Sequence, residues 1–484
     1  MTSMNHQRGL DRSQTLLFPE RLEDYIGADN PVRFLDAFVA GLDLHALGFA
    51  KAQCAATGRP PYDPAALLKL YLYGYLHRIR SSRLLEADCR RNVEVIWLLG
   101  KLAPDFKTIA DFRKDNLKPL RAVSRQFAVL CQKLKLFGGE LLAVDGSKFG
   151  AVNARDQNFN ALKLQDLMAR ADARLAEYFK QLDDADVAEP APEALNQTQL
   201  AARIAALQEK QDWHKELLAQ LDEEQKQISV TDPDTRKMPT AHGMMVGYNA
   251  QLAVDARHKL IAADDVTNEV TDFKQLANVA LTAKANLEVK QAEVLADAGY
   301  YNAAEVSRCA EAGLRAYVPK ADTSANTARG LYGKSRFKYD AQKDVYVCPA
   351  GAELTYRFAT YELGRELRYY RASGCKGCAL KPQCTRNKNN RTITREENEA
   401  LMEAMAARMK AQPWKFKLRK PLAEHPFGTI KRWFGYTHFL LKGLEKVRTE
   451  WSLMTLVYNL KRVLNLVSFE QLMQAVGVKV PQTA

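Results

Sequence analysis

Two short apolar runs, each closed by an aspartate and a glycine, constrain this chain most. The first is Glu140-Leu-Leu-Ala-Val-Asp145-Gly-Ser, and the second is Ala292-Glu-Val-Leu-Ala-Asp297-Ala-Gly. Runs of that length bounded by turn residues read as buried strands. Between them, Met244–Val254 and Leu260–Ala262 flank Asp255-Ala-Arg-His258, which predicts a hairpin. Helical patterns over Asp272–Ala285 and Asn302–Glu311, and a strand at Ala316–Pro319, complete the alternation. The order predicts an α/β fold with a mixed sheet.

Two segments interrupt that pattern. Apolar residues recur at helical spacing from Leu164 to Tyr178, then again through Ile204, Leu207, Leu218, Leu221 and Ile228. An acidic, proline-containing stretch from Asp183 to Pro192 separates them, so 156–230 reads as an inserted helical hairpin, with His214 a tolerated polar residue in its seam. A second insert, 320–410, is rich in cysteine. Before the first strand, residues 1–136 read as helical. Asp63-Pro64 is a cap-and-start signal, a second helix is expected near Thr108, and Arg78, Arg80, Arg83, Arg90, Arg91 and Arg113 decorate these helices. The main domain is expected over 137–470 and a tail over 471–484.

Charge narrows the partner. Seventy Lys and Arg against 57 Asp and Glu leave +13, with a pI near 9.2. From Ala411 to Arg462, eleven basic residues face three acidic ones. Such an excess favours polyanions, either nucleic acid or an anionic membrane surface. No window reaches the roughly 18 apolar residues needed to span a bilayer, and the polar start lacks a secretory signal. A cytoplasmic, nucleoid-associated protein is expected.

Carboxylates at neighbouring strand ends suit divalent cations, because Mg²⁺ takes carboxylate and water oxygens and needs few protein ligands. Asp145 and Asp297 fit that position, whereas Asp255 lies in a hairpin turn and reads as structural. A third acid, Glu424, occurs in Arg419-Lys420-Pro-Leu-Ala-Glu424-His-Pro-Phe-Gly-Thr-Ile-Lys431-Arg432-Trp. Seven residues are nearly two helical turns, which predicts one face for Glu424 and Lys431. The bland reading of Glu424 is a surface salt bridge, worth under about 1 kcal/mol.

The cysteines divide in two. Cys54, Cys89, Cys131 and Cys309 are scattered, as structural thiols are, whereas Cys348, Cys375, Cys378 and Cys384 fall within 37 residues among Gly, Pro, Lys and Arg. Four thiolates on turns suit tetrahedral Zn²⁺, and a C-x-x-C pair is also compatible with redox chemistry.

Together, Leu-Ala-Val-Asp145-Gly-Ser, Val-Leu-Ala-Asp297-Ala-Gly-Tyr-Tyr and Glu424-His-Pro-Phe-Gly-Thr-Ile-Lys431 resemble the DDE transposases of bacterial insertion sequences. Arg59-Pro-Pro-Tyr-Asp-Pro64, Ser82-Arg83 and Thr108-Ile-Ala-Asp-Phe-Arg113 resemble the helical domain common in that family. The resemblance covers nearly the whole chain. It implies an RNase H-like catalytic domain in which Asp145, Asp297 and Glu424 bind two Mg²⁺ (or Mn²⁺) ions. It also agrees with a cysteine-rich, zinc-type insert before the Glu. Lys420 stands where the motif usually has Arg, and Lys417 where Tyr is common. The expected function is DNA transposition: binding terminal inverted repeats, hydrolysing phosphodiester bonds and joining 3′-OH ends to target DNA. Arg83, Arg113, Arg419, Lys420, Lys431 and Arg432 are the expected contacts to double-stranded DNA, on which a homodimer would assemble, with no membrane partner. A DNA-binding regulator without catalysis would have no need of three acids. A nuclease that cuts without joining is the nearer alternative.

Overall fold

The structure is a computed structural model that describes residues 21–53, 60–153, 155–187, 197–221, 226–241, 243–320, 325–362 and 365–478. The chain divides into two compact units, residues 1–130 with 456–484, and residues 131–455.

The first unit is helical. Helix α1 (Pro31–Ala40) starts with Asn30 accepting from the Val32 N–H, and α2 (Pro64–Leu76) with Asp63 accepting from the Ala65 N–H at 2.8 Å. In α2, Leu67, Leu68, Leu70, Tyr71, Leu72 and Tyr75 are all buried, so the helix is enclosed on every side. Helices α3 (Ser82–Arg91), α4 (Val93–Leu98), α5 (Phe106–Asp115) and α6 (Leu117–Lys133) follow. Helix α5 begins two residues before Thr108, because the Asp105 carboxylate accepts from the N–H groups of Lys107 and Thr108.

In the second unit, the main sheet comprises β1 (Leu141–Gly150), β2 (Arg236–Thr240), β3 (Gly243–Asp255), β4 (Ile261–Thr267), β5 (Ala292–Leu295) and β6 (Leu314–Tyr317). Strand β3 pairs antiparallel with β1, β2 and β4, while β1 runs parallel to β5 and β5 to β6. Mixed pairing around a central β1 is the arrangement the alternation predicts. The helical insert α7 (Ala161–Val187) and α8 (Gln197–Ala219) packs through Leu175, Leu200 and Ile204. Ile228 does not continue the helical seam. It lies in a short strand, Ile228–Ser229, paired with Asn158–Phe159 at the foot of the insert. His214 is buried against Phe159 and Trp213.

Helices α9 (Leu276–Leu287) and α10 (Ala303–Glu311) contribute to one core with β1, β5 and β6. The cysteine-rich insert has its own core of Phe337, Tyr346, Leu354, Tyr370, Ala372 and Ile393. A five-stranded antiparallel sheet carries it: β7 (Lys338–Asp340), β8 (Val345–Val347), β9 (Glu353–Glu362), β10 (Arg365–Ala372) and β11 (Thr392–Glu396). Helices α11 (Glu399–Ala411), α12 (Arg419–Gly428) and α13 (Leu444–Leu466) follow.

Candidate active site

Ala143 of β1 lies opposite Leu295 of β5, so Asp145 and Asp297 each follow the same register pair by two residues. Asp145 is largely buried. Burial pushes its carboxyl up to about 6, the nearby Arg419 charge opposes the rise, and the charges of Asp297 and Asp272 add to it. Arg419 Nη1 stands 3.3 Å from Asp145 Oδ2. Asp297 opens the turn Ala298–Tyr300, its Oδ1 accepting from the Gly299 N–H at 2.8 Å.

Sequence reasoning missed a third carboxylate. Asp272 Oδ1 accepts from Asn249 Nδ2 and Gln251 Nε2, each at 2.7 Å, and lies 3.6 Å from the Lys148 ammonium. Asn249 and Gln251 are fully buried on β3, and Tyr300 donates to the Gln251 side-chain oxygen. Gly146 is required here: a Cβ at that position would meet Gln251 Nε2 and stand 2.7 Å from Asp272 Oδ1. A glycine directly after the strand acid was the available signal of this close approach. Lys148 Nζ and Arg419 Nη1 are both buried, with no hydrogen-bond partner among the described residues.

Glu424 comes from α12, which packs on β1 through Leu422 and Ala423 against Ala143. Phe427 and Trp451 stack with centroids 6.1 Å apart, and Phe149 of β1 lies 4.9 Å from Trp451. The Glu424 side chain is 58% exposed, and its Oε1 is 3.9 Å from Lys420 Nζ. Glu424 does not complete a ready metal-holding group with Asp145 and Asp297 among the described residues; what α12 brings to Asp145 is Arg419.

Glu424 and Lys431 differ in surroundings, the first exposed and the second bonded to β1. Beyond Gly428 the helix widens to a π turn over Thr429–Trp433, so the spacing to Lys431 is not that of a regular α-helix. Its ammonium donates to Ser147 Oγ at 2.6 Å and the Lys148 carbonyl at 2.8 Å, over the Phe149 ring. Burial pushes Lys431 down to about 8. Lys420 and Arg432 are exposed. On the N-terminal helices, Arg83 is exposed over the Phe106 ring. Arg113 is only 8% exposed and stands over Tyr71, with Nη1 3.4 Å from the Tyr75 hydroxyl, an internal position rather than a phosphate-facing one. Asp255 is structural, accepting from the N–H groups of Gly138, Gly139 and Arg257.

Cys348, Cys375, Cys378 and Cys384 line one pocket. Neither they nor the acids form a group of three or more side chains in ready metal-holding geometry among the described residues. Cys89, Cys131 and Cys309 are buried thiols, and Cys54 lies outside the described residues.

Two family comparisons bear on this geometry. Residues 347–464, which include Glu424 and the four clustered cysteines, match the family described as Transposase DDE domain. Residues 20–115 match the family described as Transposase domain (DUF772). Both matches are to transposase domains, consistent with a DDE transposase of an insertion sequence. The DDE domain match indicates a DNA-cleaving, transposing enzyme, and the second match falls on the helical N-terminal region. No curated protein matches the chain. A piggyBac transposase, solved by cryo-EM in a synaptic complex with hairpin DNA, is 9% identical. The match covers 93% of this chain and 77% of that one with a TM-score of 0.32, too slight to bear on the fold.

Proposed function

We propose that this transposase binds the terminal inverted repeats of its own insertion sequence, hydrolyses phosphodiester bonds there and transfers the 3′-OH ends into target DNA. The observation that carries this reading is the placement of Asp145 and Asp297 after one register pair of β1 and β5, beside Arg419 of the helix that bears Glu424. The order β4-β3-β1-β5-β6, antiparallel on one side of β1 and parallel on the other, supports an RNase H-like catalytic domain.

Asp145, Asp297 and Glu424 would hold two Mg²⁺ or Mn²⁺ ions. The site fits divalent cations: the Asp145 carboxyl, buried beside two further carboxylates, sits where added positive charge is favourable. Mg²⁺ is commonly held by only one or two carboxylates plus water and phosphate, so a ready three-ligand group is not required. Bound there, the two ions would activate the attacking oxygen and stabilise the leaving one. The chain's own groups do the rest. Arg419 and Lys148, each at ion-pair distance from an acid of the site, would supply positive charge toward phosphate oxygens. Lys420, Arg432 and, in the N-terminal unit, Arg83 offer exposed charge to the DNA backbone. Lys431 fastens the end of α12 to β1.

The cysteine pocket is the place for a structural Zn²⁺. What supports that assignment is that four thiols line one pocket. Because both element ends must be cut together, a homodimer on DNA follows from the reaction. No helix among the described residues is long and apolar enough to cross a membrane, and a cytoplasmic, nucleoid-associated enzyme is consistent with the basic charge.

Strand transfer tests the proposal. Incubated with end DNA, a target plasmid and Mg²⁺, the wild type should yield joined products and Glu424→Gln none. Nicks without joined products would favour the nuclease alternative. Wild-type joining by Glu424→Gln would remove Glu424 from the centre.

A further inference from the structure

From Arg371 to Arg395 the sequence holds seven cationic residues and no acidic one. Three of the seven are used internally. Arg391 donates to the carbonyls of Cys384 and Tyr332, Arg395 pairs with Glu403, and Lys381 donates to the Lys388 carbonyl. The other four, Arg371, Lys376, Arg386 and Lys388, are exposed and have no acidic partner among the described residues. Exposed cations elsewhere commonly sit beside an acid one turn away, as Arg90 with Glu86, Arg170 with Asp166 and Lys215 with Asp212 do. Unrelieved like charge costs stability through self-repulsion, which a polyanion would reverse.

The loop that carries these charges is preorganised. The Asn387 N–H bonds Thr385 Oγ1, the Asn389 N–H bonds Asn387 Oδ1, and the Tyr332 N–H bonds the Gln383 carbonyl. The Ala372 N–H bonds the Arg391 carbonyl at 3.0 Å, so the loop closes on the end of β10. Rigid presentation lowers the entropic cost of binding.

Strand β10 forms with β9 a ribbon that outruns its neighbours. β8 reaches only Glu353–Thr355 on one side, and β11 only Leu367–Arg371 on the other. The ribbon exposes Tyr356, Phe358 and Tyr361, with Arg368 over Tyr356 and Phe358 stacked on Tyr369. Arginine and aromatic side chains on a two-stranded ribbon suit a nucleic-acid groove or backbone.

We propose that this ribbon and its basic loop form a second DNA-contacting surface, distinct from the acidic centre, that grips the phosphate backbone without reading sequence. It rests on the reading that the enzyme works on double-stranded DNA, and it assigns the cysteine-rich insert a binding role. Lys376, Arg386 and Lys388 would each take a phosphate.

The test measures full-length protein binding to a 50-base-pair duplex carrying the element end, and to a scrambled duplex, between about 50 and 200 mM salt. K376A/R386A/K388A should weaken both complexes about tenfold or more and reduce the salt slope by about 0.9 for each phosphate no longer neutralised. The charge-keeping variant K376R/R386K/K388R should retain wild-type slope, which separates removal of charge from damage to the fold. Unchanged affinity and slope in the alanine variant overturn the proposal, whether the surface serves an acidic protein or nothing. Its failure is distinguishable from failure of the catalytic reading, which turns on Mg²⁺-dependent cleavage by the wild type and not on this loop.

Discussion

Arg419 Nη1 lies 3.3 Å from Asp145 Oδ2, and the two side chains are 16% and 17% exposed. A buried pair of this kind is weak evidence for stability, because desolvation offsets the attraction. Its value is positional. The pair ties α12, which carries Glu424, to the strand that carries Asp145, and it leaves a guanidinium donor beside the acids. The proposed mechanism calls for that proximity.

Asp255 and Asp145 both follow apolar runs, yet they predict opposite phenotypes. Asp255→Ala would orphan the N–H groups of Gly138, Gly139 and Arg257. At about 1–3 kcal/mol for leaving buried donors unsatisfied, the expected result is a lower urea midpoint with cleavage per folded molecule retained. Loss of cleavage at full stability would give Asp255 a chemical role.

Lys431 supplies a pH test. Its folded value, about 8, is below the usual 10.5. Below pH 8 both folded and unfolded chains hold the proton, and the burial penalty is fully present. Between about 8 and 10.5 the unfolded chain binds more protons, so stability rises with pH. Comparing wild type with Lys431→Met cancels other titrations. The melting-temperature difference should shift in favour of wild type across that window; a flat difference would contradict the placement of the ammonium.

The cysteine pocket makes a metal-removal prediction. Protein purified without chelator should carry about one Zn²⁺ per chain by atomic absorption, and stripping it should lower the melting temperature. Cys378→Ser should reproduce that loss and be insensitive to chelator. A metal-free chain with unchanged melting after chelation would leave the four thiols as packing groups.

The two strands that carry the candidate aspartates were legible from local pattern. The apolar runs before Asp145 and Asp297 are buried strands because apolar residues fill them, but the expected turn after Asp145 is absent: β1 continues through Gly146 to Gly150, paired with the long neighbouring strand. Asp272 was not legible: a lone acid ahead of a helix looks like any cap, and only the fold brings Asn249 and Gln251 to it. The π turn between Glu424 and Lys431 was not legible either: seven-residue spacing assumes an uninterrupted α-helix. Arg113 turned inward because Tyr71 and Tyr75, four residues apart on α2, offer a ring and a hydroxyl that no local pattern on α5 reveals.

The central claim is that Asp145 works with divalent metal to cut DNA. The most direct measurement is nicking of a duplex carrying the element's end, with and without Mg²⁺, by wild type and Asp145→Asn. The account predicts Mg²⁺-dependent nicking by the wild type, reduced by about 10²–10³-fold or more in the variant, while duplex affinity stays within about threefold. Nicking by Asp145→Asn at the wild-type rate would contradict it.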